Sequence, residues 1–165
     1  MQKITPCLWF EHNNAEEAMR LYRSVFKNSK IVHIQRYPEG IKEGPMAGFD
    51  GKVLTGVFEL EGQRFMALDG GPVFQPSGAV SFLVECKDQA EIDYYWEKLT
   101  EGGDPAAQQC GWLKDKYGFS WQVVPDMTRW LQSADKAAND RAMQAMLTMK
   151  KIDVAKLQEA YDNAS

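Results

Sequence analysis

What most restricts the fold of this chain is a recurrence. An apolar strand-like run followed by a capped amphipathic helix occurs twice, and each time shorter strand-like runs follow. The first run is 4–10 (ITPCLWF), closed by Glu11-His12-Asn13-Asn14. Across 15–26, Ala18, Leu21, Tyr22 and Val25 then fall at helical spacing. Asn14 stands where an N-cap belongs, and Glu17 has the spacing of a capping box. Strands are predicted at 30–37 (KIVHIQRY), 52–60 (KVLTGVFEL) and 63–68 (QRFMAL), the last two turning at Glu61-Gly62. The breakers Gly70, Gly71, Pro72, Pro76 and Gly78 make the next stretch a connector.

The order then begins again. A strand at 79–86 (AVSFLVEC) precedes Asp88, a second cap with Glu91 three residues on. A helix over 89–99 puts Ile92, Tyr95, Trp96 and Leu99 on one face. Further strands are predicted at 105–109, where Pro can open a strand, and at 111–114 and 120–124 around the turn Asp115-Lys116-Tyr117-Gly118. Laying the second copy on the first puts Asp88 over Asn14, Ile92 over Ala18, Trp96 over Tyr22, Gly118 over Gly62 and Trp121 over Phe65. The predicted fold class is therefore α+β: two tandem βαβββ modules, 3–72 and 79–126, forming a curled mixed sheet in one domain over 3–126. A helical extension follows over 127–165, with Ser133 and Asp153 as caps, a stripe of Met143, Met146 and Leu147, and Ile152 and Leu157 placed as a hydrophobic staple.

Composition narrows the function classes. With 165 residues, 44% of them hydrophobic, the chain can bury a sizeable core. Nineteen Lys plus Arg against 23 Asp plus Glu leave no basic footprint for nucleic acid. No stretch reaches the roughly 18–20 apolar residues of a membrane helix, and Met1-Gln2-Lys3 runs into the first strand without a signal-peptide core. Cys7, Cys86 and Cys110 lie far apart with no C-x-x-C pair, which fits a reducing compartment. The chain reads as soluble and cytoplasmic, without nucleic-acid or membrane partners.

Three segments, ITPCLWFEHNNAEEAMRLYRSVF, FMALDGGP and CGWLKDKYGFSWQVVP, with AMLTMKKIDVAKL in the extension, resemble the PhnB-like branch of the vicinal oxygen chelate superfamily. Members of that branch are often labelled 3-demethylubiquinone-9 3-methyltransferase. The resemblance implies paired modules, a ligand cup on the sheet and a homodimer. In the superfamily's metal enzymes His, Glu or Gln ligands project from the first and last strand of each module, which here implies Thr5, Met66, Ala79 and Gln122. Of these Gln122 alone is a ligand type the superfamily uses, so neither metal nor other cofactor is expected. Methyl transfer of the common kind needs a strand, a Gly-rich loop and a helix. Asp69-Gly70-Gly71-Pro72 follows a strand, but Val73-Phe74-Gln75-Pro76 leaves no room for that helix.

Strand alternation selects the inward residues. Ile4, Pro6, Leu8 and Phe10 should pack on the first helix, leaving Thr5, Cys7 and Trp9 to the cup. Trp121 and Val123 should pack on the second helix, leaving Ser120, Gln122 and Val124. If Val32 and Ile34 face a helix, His33 and Gln35 face the cup. The expected ligand-binding residues are Trp9, His33, Met66, Asp69 and Gln122, an apolar pocket with a few polar anchors. His12 reads as a solvated loop residue, Cys110 as a structural thiol, and 38–51 as a surface loop. The expected function is metal-independent binding of a small organic molecule. Two alternatives stand beside it: a metal-dependent enzyme of the glyoxalase or dioxygenase type using His33, Asp69 and Gln122, and an interaction module acting through the Met-rich extension.

Overall fold

The computed structural model describes residues 2–44 and 47–163, so Pro45 and Met46 of the 38–51 loop lie outside the described residues. The chain forms two compact units, Met1–Pro76 and Ser77–Ser165.

In the first unit β1 (Cys7–Phe10), α1 (Ala15–Val25), β2 (Ser29–Arg36), β3 (Val53–Leu60) and β4 (Gln63–Asp69) follow one another. The sheet order is β1-β4-β3-β2, with β1 parallel to β4 and the other pairs antiparallel. A parallel pair needs a long crossover, here the whole of α1, β2 and β3. Ala15, Ala18, Met19, Tyr22 and Val25 form the buried stripe of α1. Met19 lies directly on Gly56, where a Cβ would come within 2.4 Å of its Cε, and Tyr22 and Phe65 both stack on Phe58. Leu8 and Phe10 are buried as alternation requires, whereas Ile4 precedes β1 and is 84% exposed. Glu61 and Gly62, both at positive φ, make the two-residue hairpin turn between β3 and β4.

Asn14 occupies the N-cap position of α1, yet its side chain makes no capping bond. The first free amide, Ala15 N–H, donates instead to Asp69 Oδ2 at 3.2 Å. The helix is thus capped from the end of β4.

The second unit runs β5 (Ser81–Cys86), α2 (Gln89–Thr100), β6 (Trp112–Lys114), β7 (Ser120–Pro125), α3 (Thr128–Leu131), α4 (Lys136–Leu147) and α5 (Val154–Asp162). Its sheet has three strands in the order β5-β7-β6, with β5 parallel to β7. The strand predicted at 105–109 is a 3-10 turn over Pro105–Ala107. Asp104 accepts from Ala106 N–H at 2.9 Å, and Pro105 takes the first helical position, where its missing N–H costs nothing. Only a single bridge, Gln109 to Trp112, remains of that strand. The βαβββ order is therefore complete in the first module and one strand short in the second.

Asp88 caps α2 by accepting from Glu91 N–H at 2.9 Å, while Glu91 accepts from Lys87 N–H, so the expected cap is present with its return bond one residue earlier. Asp115 is buried and ties the β6–β7 turn by accepting from Tyr117 N–H, Phe119 N–H and the Trp121 indole.

The extension packs into this second unit. Cys110 and Gly111 amides donate to the Met149 and Lys150 carbonyls, each at 2.8 Å. Gln89 of α2 donates to the Ile152 carbonyl and accepts from Val154 N–H. Asp153 caps α5, and Ile152 and Leu157, the expected staple, are fully buried. Two expectations fail. Asp135, not Ser133, caps α4, since its carboxylate reaches Ala138 N–H. Ser133 instead hydrogen-bonds Asn139 and Tyr161. The buried face of α4 is Ala138 and Ala142, while Met143 and Leu147 stay 39% and 54% exposed.

Candidate functional site

Register places side chains on the first sheet. Cys7 pairs with Met66, Met66 with Val57 and Val57 with His33, so these four form one row across all strands. Trp9, Leu68, Thr55 and Gln35 form the next row. Lys30, Glu59 and Arg64 form a third. Directly paired residues share a face, and the intervening residues Leu8, Phe58, Phe65 and Ala67 are buried on the α1 side. The three rows therefore lie on the face opposite α1.

His33 reaches that face because of a bulge. The register of β2 against β3 shifts between Ile31 and His33, leaving Val32 unpaired. Ile31, opposite Phe58, and Ile34, opposite Gly56, both face α1, while His33 and Gln35 face away. Of the two residues expected to face a helix, Ile34 does, whereas Val32 is the unpaired bulge residue, 45% exposed, and Ile31 takes the α1 side in its place. Thr55 Oγ1 donates to Gln35 Oε1 at 3.4 Å. Partial burial pushes the Cys7 thiol above its usual pKa, so it stays protonated at neutral pH.

Trp9 is held firmly. Its indole N–H donates to the Gly71 carbonyl at 2.9 Å, and a Cβ on Gly70 would lie 2.1 Å from its six-membered ring. The Phe74 ring meets it edge-on, 5.0 Å away at 81°, and is itself 60% exposed.

Asp69 is not with them. It pairs with Phe10 and points to the α1 side, where it is buried, caps Ala15 and has its backbone carbonyl bonded by the Tyr37 hydroxyl at 2.7 Å. Burial raises its pKa, with the backbone amides of Ala15 and Asn14 opposing the shift. Gln122 belongs to the second unit, half-buried in a row with Leu83 and Trp112 and donating to Ser81 Oγ at 2.9 Å. The structure thus brings Trp9, Met66 and His33 to one face, sets Asp69 on the other, and places Gln122 in the other unit. Sequence reasoning left Gln35, Thr55, Val57 and Leu68 out of the site, although alternation within β3 and β4 puts Thr55 and Val57 beside each other and Leu68 beside Met66. Phe74 was hidden in a connector read only for its breakers.

The four positions the resemblance implies for a metal do not make a donor set, because Gln122 alone keeps a ligand oxygen, its N–H being the group bonded to Ser81. Thr5 and Ala79 are exposed and precede their strands, and Met66 offers a thioether. Among the described residues no group of three or more His, Cys, Asp and Glu is placed to hold an ion. Cys7 and His33 lie on the two outer strands, their backbones roughly 14 Å apart at ordinary strand spacing, too far for a thiol–imidazole dyad. His12 pairs with Glu11 in the loop after β1, mostly solvated as expected.

The described residues of the second unit line cavities at two places. One of ≈ 390 Å³ is lined by Cys86, Asp88, Glu91, Asp126, Arg129 and Trp130 among others. Three of its acids are already engaged: Asp88 and Asp126 accept from the Glu91 and Thr128 amides, and Glu91 pairs with Lys87. Burial and the neighbouring carboxylates push Cys86 up to about 12, which leaves it an inert thiol. The other, of ≈ 410 Å³, lies between α4 and α5 beside Lys150, Lys151 and Lys156. Neither contains an expected site residue.

Two strand–helix modules in tandem, each a small mixed sheet whose α-helix packs on one face, define the chain as a protein of the vicinal oxygen chelate class. Within that class it belongs to the 3-demethylubiquinone-9 3-methyltransferase family of PhnB-like proteins, whose sequence profile matches residues 2–124. The solved structure of the PhnB protein from Bacillus cereus is 42% identical over 74% of this chain and 99% of its own, with a TM-score of 0.62. Protein PA1353 from Pseudomonas aeruginosa, 19% identical over 76% of this chain and 97% of its own, has a TM-score of 0.58 and attests the fold alone. No curated protein matches the chain.

Proposed function

We propose that this chain binds a small organic molecule on the face of the first sheet opposite α1, without the metal used by enzymes of the class, and that it works as a homodimer in the cytoplasm. The observation that carries the reading is the composition of that face. Two adjacent rows combine Trp9, Met66, Leu68 and Val57 with the polar groups of Gln35, Thr55 and His33, the mixture of apolar wall and few anchors that small-molecule sites use. Gln122, with Leu83 and Trp112 in its row, offers a similar mixture in the second module.

The family's name does not extend to a mechanism here. The strand–helix junctions are Glu11-His12-Asn13-Asn14 and Lys87-Asp88, neither glycine-rich, and the Gly70-Gly71 turn leads into an extended connector. That supports binding over methyl transfer. No α-helix among the described residues is long and apolar enough to cross a membrane, and the three cysteines are free thiols, as a reducing compartment keeps them.

Two measurements on the full chain test the proposal. Elemental analysis of the purified protein should find metal well below one ion per chain, and a stoichiometric divalent ion would overturn the metal-free reading. A thermal-shift panel of aromatic, aliphatic and charged small molecules should contain compounds that raise the melting temperature, because a ligand of the native state must stabilise it. A flat response across every class would end the binding reading.

A further inference from the structure

Resting on the binding reading just given, we infer that the ligand of the first module is a planar aromatic molecule without net charge, and that its ring sits in the corner made by Trp9 and Phe74.

The charge pattern of the face argues for neutrality. The fixed charges of its strands are gathered in one row, where Lys30 and Arg64 are both bound to Glu59, at 3.0 and 3.3 Å, and the charge nearest Phe74 is the Glu11 carboxylate, which accepts from Gln75 and would repel an anion. Toward the Gly70-Gly71 turn the face consists of uncharged groups: Trp9, Leu68, Thr55 and Gln35 in one row, and Met66, Val57 and the protonated Cys7 thiol in the next. A carboxylate or phosphonate placed there would lose water and gain no cation, which is strongly unfavourable. His33, a further titratable side chain of the same face, stands on β2 at the far side of the sheet from β1 and Trp9.

The aromatic geometry argues for a planar ring. Because the indole N–H of Trp9 is spent on the Gly71 carbonyl, Trp9 has only its ring surface to offer. Phe74 stands at 81° to it with much of its own surface in water. A third ring in such a corner lies flat on one partner and edge-on to the other, the two arrangements that aromatic quadrupoles favour. Met66, one row away, adds a polarisable sulphur of the kind that contacts ring edges. Gln35, whose Oε1 is taken by Thr55, keeps its amide N–H groups for a carbonyl or hydroxyl at the far side of the face.

The test pairs 2-naphthamide with 2-naphthoate, one ring system with and without a charge, by titration calorimetry on the full chain and on Phe74→Ala. The neutral amide should bind at least about tenfold more tightly than the carboxylate. Phe74→Ala should weaken the amide about three- to tenfold, with little change in the melting temperature of the free protein, since Phe74 is largely exposed. Equal or tighter binding of the carboxylate overturns the charge class, and an unchanged amide affinity in Phe74→Ala overturns the corner. If aliphatic compounds of the panel bind while both naphthalenes fail, this inference falls and the binding reading stands. If nothing in the panel binds, the binding reading itself falls and takes the inference with it.

Discussion

Gly70 is the residue whose role is sharpest. Its φ is not in the left-handed region, so the reason for glycine is space alone: the Trp9 ring occupies the place of a side chain. Gly70→Ala must push the indole away from Gly71 or move the turn, and should cost about 1–3 kcal/mol, the usual range for overpacking. Urea denaturation measures it, and a loss below about 0.5 kcal/mol would show that the turn adapts freely. Asp69, its neighbour, supplies a test in pH. Burial holds its folded-state pKa above the ordinary Asp value. Such a group stabilises the fold most when protonated, below the unfolded-state value of about 4, and that stabilisation is lost as pH rises through the folded-state pKa. Asp69→Asn does not titrate and can still accept from Ala15, so its stability relative to the parent should rise between pH 4 and pH 7. If its relative stability fell over that range instead, the α1 amides would outweigh burial. The sequence suggests Asp69 as a ligand-binding residue because it ends a strand just before Gly70-Gly71, although Asp before Gly-Gly is equally turn chemistry. The same alternation that placed Met66 puts Asp69, three residues on, on the opposite face.

At the scale of elements, local rules succeeded where one residue decides and failed where two segments compete. Asp88 and Asp153 cap as read, because a carboxylate three residues before a free amide has no better partner. Asn14 was displaced as a capping side chain by Asp69, more than fifty residues away, which no local window can see. The Val32 bulge is equally invisible, since it depends on the register with β3. At 105–109 the apolar content is low and Asp104-Pro105 is a helix-start signal, so the 3-10 turn, unlike the strand expected from the repeat, has a local cause in the sequence. Ile152 joins the extension to the second module: it is fully buried, and its side chain lies beside Gly111, where an added Cβ would come within 3.2 Å of it. Ile152→Ala should cost about 2–5 kcal/mol. Chemical denaturation followed by near-ultraviolet circular dichroism of the second unit's Trp112, Trp121 and Trp130 measures it. A cost under about 1 kcal/mol would mean the extension rests on the module without being part of its cooperative core.

For the molecule as a whole the open question is whether the extension is a separate module or part of the second one. The family profile matches residues 2–124 and ends just ahead of the extension. A detachable interaction module would carry its own core and leave the second sheet intact when removed. The contacts argue otherwise. Ile152, Leu157 and Trp130 are all buried, Gln89 of α2 is bonded on both sides to the Ile152–Val154 backbone, and the amides before β6 have the Met149 and Lys150 carbonyls as partners. Burying one large apolar side chain is worth about 1.5–3 kcal/mol. Three of them, with those hydrogen bonds, rival the 5–15 kcal/mol net stability of a typical domain. A chain ending at Asp126 should therefore lose slow hydrogen exchange in β5, β6 and β7. The amides of β3 and β4, whose unit holds its own helix and sheet, should keep their protection. Equal protection in β5–β7 with and without residues 127–165 would show the second module to be self-sufficient and favour the reading of the extension as an interaction module.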